Sequence, residues 1–388
     1  MAKKTLNVGL VGYKFMGKMH SNAYRQVGRF FTDLETVPAL KAICGRDEAG
    51  VRAAADTFGW ESYETDWRKL IARDDIDVID ISTPGNTHVE IAIAAANAGK
   101  IVLCEKPLGN TAAQGKEMLD AVKKSGVQNG IFFNYRFAPA VALAKQLISD
   151  GVLGQIYHWR SVYLQDWIVD PNFPLVWRLK KETAGSGSHG DLVAHSIDMA
   201  RYLVGEITEV SGMLNTFIKK RPELAESDAR LGGRADTSRM GDVTVDDASL
   251  FLARFNNGAI GTFEATRFAM GRKNYNRFEV NGSKGSLVFN MERMNELEVY
   301  TEDTAKGTYG FRTINVTEGA DPYSGVYWPA GHIVGYEHTF IDLIYSFFKA
   351  IGEGRPLSPN FEDGYRDNVV LDIVAKSSET KKWEEVRY

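Results

Sequence analysis

Apolar residues in the first third of the chain come in short, largely apolar runs set between helical stretches. Leu6 to Val11, Leu40 to Cys44, Asp77 to Ser82, Ile101 to Cys104 and Gly130 to Phe133 are runs of strand length. Gly17 to Gly28, Ala49 to Phe58, His88 to Ala98 and Thr111 to Ser125 lie between them and read as helices. A strand that is apolar throughout is buried on both faces, as in a parallel sheet covered by its own crossover helices. Right-handed crossovers place those helices on both sides. The fold class predicted is α/β, opening with a doubly wound parallel sheet of the Rossmann type over residues 1–128.

The rhythm then changes. Ala140 to Asp150 reads as a helix. Ile156 to Tyr163, Glu209 to Phe217, Asp246 to Phe255, Gly258 to Thr266, Asn276 to Val280, Ser286 to Asn290 and Glu296 to Tyr300 alternate apolar with polar residues. Asn256-Asn257-Gly258 and Asn281-Gly282-Ser283 are hairpin-like turns. Residues 129–388 are thus expected to form an α+β domain with a large, mainly antiparallel open sheet, one face left to solvent or a partner. Lys219 to Asp242 is charged and poor in pattern, which predicts a long surface loop. Glu337 to Ile351 and Phe361 to Ser377 close the chain as helices.

Composition narrows the function classes. With 388 residues, 25% of them charged, and a net charge of −4, no basic stripe for nucleic acid stands out. No run approaches the ~18–20 apolar residues that span a membrane. The first residues lead straight into a strand without a signal-type apolar stretch. Cys44 and Cys104 lie in strand-like runs and read as buried free thiols, so the expected location is the cytoplasm.

The first strand runs into Gly12-Tyr13-Lys14-Phe15-Met16-Gly17, which opens the first helix. That is the context of a dinucleotide phosphate loop, and Gly12, Tyr13, Lys14, Phe15 and Met16 are its candidate contacts. Lys14 replaces the usual middle glycine, so its side chain must turn from the phosphates or curl its ammonium onto them. The second strand ends Cys44-Gly45-Arg46-Asp47. Gly45 leaves room for the adenine ribose; Arg46 can pair with a 2′-phosphate, while Asp47 can serve the ribose or cap the next helix. NAD and NADP both remain open.

Ligands in such sheets bind beyond the carboxyl ends of the strands. Ser82, Thr83, Pro84, Asn86 and His88 follow one strand, and Glu105-Lys106-Pro107 follows the next. A residue before proline is held extended, which aims Lys106 into the crevice. Further on, a glycine-rich loop enters a helix at Asp191, with His195 four residues later on the same face. Such a pair can orient a substrate hydroxyl and take its proton. His189 and Asp198 compete for that role, and a metal held by His189, Asp191 and His195 is redundant beside a nicotinamide and a lysine.

Glu105-Lys-Pro107, Gly9 to His20, Thr83 to His88 and Gly185 to His195 together resemble the Gfo/Idh/MocA family of oxidoreductases. Gln165 to Pro171, Trp177-Arg178 and Trp328 to His338 are similar to the branch holding levoglucosan and inositol dehydrogenases. The resemblance implies a Rossmann domain plus an open-sheet domain, and a homodimer or homotetramer assembled through that sheet. It implies NAD(P)-dependent oxidation of a secondary hydroxyl on a sugar, anhydro-sugar or cyclitol. The family's catalytic lysine, aspartate and histidine would fall on Lys106, Asp191 and His195. Asn134, Tyr135, Arg136, Gln165, Trp167, Trp177 and His332 are the candidates to bind hydroxyls and stack on the ring. An NAD-assisted glycoside hydrolase, a nucleotide-sugar ketone reductase and a non-catalytic sensor are the competing readings.

Overall fold

A computed structural model of the chain describes residues 3–224, 235–302 and 307–388. They form two compact units, Met1–Ala138 with Tyr323–Tyr365, and Pro139–Pro322 with Arg366–Tyr388.

The first unit is a six-stranded parallel sheet in the order β3-β2-β1-β4-β5-β6. Its strands and helices alternate as β1 (Lys4–Val11), α1 (Phe15–Phe30), β2 (Thr36–Cys44), α2 (Glu48–Phe58), β3 (Ser62–Glu64), α3 (Trp67–Ile71), β4 (Val78–Ile81), α4 (His88–Asn97), β5 (Ile101–Cys104), α5 (Ala112–Ser125) and β6 (Asn129–Ile131). Successive residues of a strand face opposite ways, and the two cores follow that alternation. Leu6, Val8, Leu10, Val78 and Leu103 pack with α1, α2 and a later helix, Tyr336–Gly352. Val11, Ile79, Ile81, Val102 and Cys104 pack with α3, α4 and α5. Cys44 and Cys104 are buried free thiols, and burial pushes the Cys44 thiol up to about 12.

This unit runs past the expected boundary at residue 128, for two physical reasons. Asn129–Ile131 is the sixth strand, paired with β5. The helix Tyr336–Gly352 then supplies Phe340, Ile344, Phe347 and Phe348 to the same core as Leu10 and Val27.

The second unit carries α6 (Pro139–Ser149), β7 (Ile156–Leu164), α7 (Lys181–Ala184), α8 (Ala194–Leu203) and the strands β8 (Ile207–Asn215) to β17 (Glu384–Glu385). Nine strands make one sheet, ordered β16-β15-β14-β13-β7-β12-β11-β8-β17 from β11 (Ala248–Phe255), β12 (Ile260–Thr266), β13 (Tyr275–Gly282), β14 (Gly285–Asn290), β15 (Glu296–Thr301) and β16 (Arg312–Asn315). All neighbours are antiparallel except β7 and β12, which run parallel. On the covered face Trp159 stacks on Phe278 and Phe251 on Phe263. The other face leaves Met213, Leu252 and Ile260 about half exposed.

Lys219 to Asp242 departs from its expected loop. Its described residues form a two-stranded antiparallel sheet, β9 (Lys220–Leu224) with β10 (Ala235–Asp242); residues 225–234 lie outside the described chain. Arg221 is buried there and donates to the carbonyls of Ile168 and Asp170, which anchors the 168–173 loop. The chain ends on helices α9 (Tyr336–Gly352) and α10 (Phe361–Thr380). No described helix is long and apolar enough to cross a membrane.

Replacing Phe347 by Ala removes a fully buried ring from the sheet core of the first unit. Chemical denaturation should show a loss of about 3–5 kcal/mol. A loss below ~1 kcal/mol would mean that the returning helix is not part of that core.

Candidate active site

The candidate phosphate loop lies in the first unit. Gly12 has φ +110°, and a Cβ there would stand 2.8 Å from the Ser82 carbonyl oxygen. A Cβ on Gly17 would stand 2.2 Å from the Gly12 carbonyl oxygen, so both ends of the loop require glycine. Lys14 does not: its φ is −79°, on the side that side chains tolerate, and it is exposed at the N-cap of α1. No side chain caps that helix and its first turn holds no acidic residue. An uncapped N-terminus presents amide N–H groups and positive dipole to an anion, which fits a pyrophosphate.

At the end of β2, Asp47 occupies the N-cap of α2 without capping it; it accepts a hydrogen bond from the Tyr13 hydroxyl at 3.3 Å. The Tyr13 ring lies against Gly45, where a Cβ would come within 2.4 Å of it, so Gly45 makes room for Tyr13. Arg46 is exposed.

Beyond β4 and β5 the chain is tied by His88. Its Nε2 lies 2.9 Å from the Thr83 carbonyl and its Nδ1 3.1 Å from that of Pro107, while burial holds its pKa below the usual value. Ser82 Oγ donates to the carbonyls of Val11 and Gly12. Lys106 is half-buried, and its backbone N–H donates to Glu105 Oε2 at 3.0 Å.

Behind this segment lies a buried polar chain that sequence reasoning missed. Tyr24 donates to Asp80 Oδ2 at 2.7 Å, and His20 Nδ1 lies 2.9 Å from the same oxygen. His20 Nε2 lies 3.0 Å from Glu105 Oε1. An acidic residue inside the otherwise apolar run of β4 was the available signal.

Asn134, Tyr135 and Arg136 also belong to the first unit, and all three are buried. Asn134 donates to Thr339 Oγ1 at 2.8 Å, Tyr135 meets the Tyr336 ring edge-on, and Arg136 pairs with Asp363 at 3.2 Å. His332 is exposed, with Nδ1 2.9 Å from the Pro329 carbonyl.

Asp191 and His195 lie in the second unit. The expected single α-helix is instead a π turn, His189–Val193, followed by α8, so α-helical spacing alone does not pair the two side chains. Separate contacts fix each one. Asp191 accepts from Arg267 Nη2 at 2.8 Å, and Arg178 approaches its other oxygen at 3.5 Å. Arg267 is fully buried and lies over the Trp167 ring, 5.2 Å from its centroid. Trp167 donates to Gln165, Gln165 donates to Asn274 Oδ1, and Tyr163 donates to that same oxygen. The Tyr163 ring stands 6.1 Å from that of His195. Arg178 also covers Trp177. Asp191, His195, Gln165, Trp167 and Trp177 thus share one contiguous cluster, joined by Arg267, Arg178, Tyr163 and Asn274. His189 stands apart from it, using Nδ1 on Ser249 and Nε2 on the Leu371 carbonyl. Asp198 is buried.

Residues 6–133 match the family model described as an oxidoreductase family with an NAD-binding Rossmann fold. Residues 141–288 match the GFO/IDH/MocA C-terminal domain. Levoglucosan dehydrogenase of Pseudarthrobacter phenanthrenivorans is 46% identical over 99% of this chain and 98% of its own. A solved levoglucosan dehydrogenase in complex with NADH and levoglucosan superposes with a TM-score of 0.93 at 45% identity, covering 99% of this chain and all of that one. Inositol 2-dehydrogenase of Rhizobium meliloti is 26% identical over 97% of this chain and 98% of its own.

Removing the Asp191 carboxylate strips the buried Arg267 guanidinium of its ion pair. Asp191→Ala should therefore lower stability by about 3 kcal/mol, as breaking a buried pair does. Thermal and denaturant unfolding measure this. No change in stability would mean that Arg267 does not depend on Asp191.

Proposed function

The chain belongs to the GFO/IDH/MocA family of oxidoreductases, and we propose that it is an NAD-dependent dehydrogenase oxidising a secondary hydroxyl of a sugar, anhydro-sugar or cyclitol to the ketone. The observation that carries this reading is the cluster joining Asp191 to His195 through Trp167, Gln165, Asn274 and Tyr163. Aromatic faces interleaved with hydrogen-bonding groups suit an uncharged ring bearing several hydroxyls. The likeness to a levoglucosan dehydrogenase over almost the whole of both chains supports the same substrate class.

Bound NAD would supply the hydride acceptor for this oxidation. The backbone of Gly12 to Met16 at the start of α1 would hold its pyrophosphate, with Asp47 at the ribose. Ser82, Thr83, Pro84, Asn86 and His88 would line the strand-end segment beside it. His195 takes the hydroxyl proton; imidazole is the side chain whose ordinary titration lies nearest neutrality. Asp191, held by Arg267 and Arg178, keeps its carboxylate directed and orients the hydroxyl. The Lys106 ammonium stabilises the negative charge that develops on the oxygen. The half-exposed apolar residues on the outward sheet face, Met213, Leu252 and Ile260, are where a homodimer or homotetramer would form. The reading includes a cytoplasmic location.

Levoglucosan and myo-inositol, each offered with NAD and with NADP, test the assignment through the absorbance of reduced cofactor. Lys106→Met should lower turnover by at least ~10²- to 10³-fold while NADH still binds. Near wild-type turnover would remove Lys106 from the chemistry.

NAD rather than NADP is favoured by Asp47, whose carboxylate would bond ribose hydroxyls and repel a 2′-phosphate. Asp47→Ser should cut the NAD-over-NADP ratio of kcat/KM by about 10-fold or more, the value of one charge-assisted hydrogen bond. An unchanged ratio would shift the discrimination to Arg46.

A further inference from the structure

The buried chain Tyr24–Asp80–His20–Glu105 lies outside the chemistry proposed above, yet it ends on the backbone of Lys106. Both nitrogens of His20 face carboxylate oxygens, so both must carry hydrogen, and the ring is an imidazolium. It is wholly buried and stacked on Phe132 at 4.0 Å, which holds its plane. Glu105 then has both oxygens committed, Oε1 to His20 and Oε2 to the Lys106 amide. A carboxylate next to a lysine in sequence has a competing option, pairing with the ammonium. A buried charge cluster of this kind gains little stability over apolar groups of the same size. Its place directly behind the lysine calls for another reason.

We propose that His20, backed by Asp80, is a positioning residue for Lys106: it holds the Glu105 carboxylate in the orientation that accepts the Lys106 amide N–H. This rests on the reading of Lys106 as catalytic. The groups facing His20 are Asp80 from β4, Glu105 from the end of β5, and the non-titrating rings of Phe132 and Phe340. Tyr24 and Cys104, near the carboxylates, are pushed above their usual range by burial. Burial alone would lower the His20 pKa, but Asp80 and then Glu105 raise it to about 9. The positioning contact is therefore present below that pH and is lost as pH rises through about 9.

His20→Gln leaves one donor nitrogen where two are needed, and turns an acceptor oxygen toward one of the carboxylates. With levoglucosan and NAD, kcat should fall on the order of 10- to 100-fold, the penalty of a misplacement of about 1 Å, while the KM for NAD changes little. Asp80→Asn removes the larger source of the raised pKa, so the alkaline fall in kcat should move to lower pH. Trp60→Phe loses a buried hydrogen bond to Ser21 on the same helix without touching the carboxylates, and should lower stability but neither kcat nor the pH profile. Hydrogen exchange read by mass spectrometry needs no substrate: the Lys106 amide should exchange faster in His20→Gln by about 10-fold, and as in wild type in Trp60→Phe.

Wild-type kcat, pH profile and Lys106 exchange in both His20→Gln and Asp80→Asn would overturn the proposal, provided Lys106→Met is inactive. Full activity in Lys106→Met would instead overturn the catalytic reading. Should the wild-type chain not oxidise levoglucosan, or should His20→Gln fail to fold, Lys106 exchange and its pH dependence in Asp80→Asn still decide the positioning claim.

Discussion

A carboxylate buried in the middle of a sheet strand, under helices on both faces, costs several kcal/mol unless opposite charge and hydrogen bonds meet it. Asp80 on β4 is in that position, fully buried. Its answer comes from α1, where His20 and Tyr24 lie one helical turn apart and both reach the carboxylate. That pairing sets the depth and rotation of α1 against the sheet. The same helix opens on the Gly12–Gly17 turn, whose free amides are the candidate phosphate site. Through Glu105 the constraint also reaches the backbone after β5. One buried charge is therefore tied both to the helix that opens on the candidate phosphate turn and, through His20 and Glu105, to the backbone amide of Lys106.

The second unit solves a related problem with the signs reversed. Arg267 is a buried cation, and it is met by Asp191, by the Gly187 carbonyl and by the face of Trp167. The glycine-rich turn before Asp191 is gripped in turn by Asp246, which accepts from the backbone of Gly187 and His189 and from the Ser188 hydroxyl. Asp191 is thus held from two directions, by its own ion pair and by the loop beneath it. A side chain so restrained has lost most of its freedom before any substrate arrives, which is the condition for orienting a hydroxyl cheaply.

Much of this architecture could be read from the chain because burial writes a period into sequence. Largely apolar runs marked the parallel strands, and alternation marked the open sheet. Short elements escaped: three residues of β3, two of β17 and the five of α3 are too few to show a period. The 220–242 strand pair escaped for another reason: its charges are matched only once the strands meet, Lys220 with Asp242 and Arg239 with Glu223, and buried Arg221 reaches back about fifty residues to Ile168 and Asp170. Long-range partnership also hid half of the candidate site. His20 lies 60 residues from Asp80 and 85 from Glu105, and Arg267 lies 76 from Asp191. Lys106, Asp191 and His195 stood out because local motifs carry them. Their supporting residues did not, because no local pattern distinguishes a buried ion pair from two surface charges.

Lys14 shows how far a motif can bend before its physics fails. A glycine is needed where φ is positive or where backbone must pass within contact of another chain segment, and Gly12 and Gly17 meet those conditions. Position 14 meets neither its φ requirement nor a steric one of that kind, since its backbone has negative φ and its side chain is exposed. What an anion needs from this turn is a set of amides at an uncapped helix start, and a side chain leaving from solvent does not remove them. In a chain of net charge −4, the added ammonium also supplies local positive potential beside those amides. The lysine is therefore compatible with the candidate phosphate role of this turn.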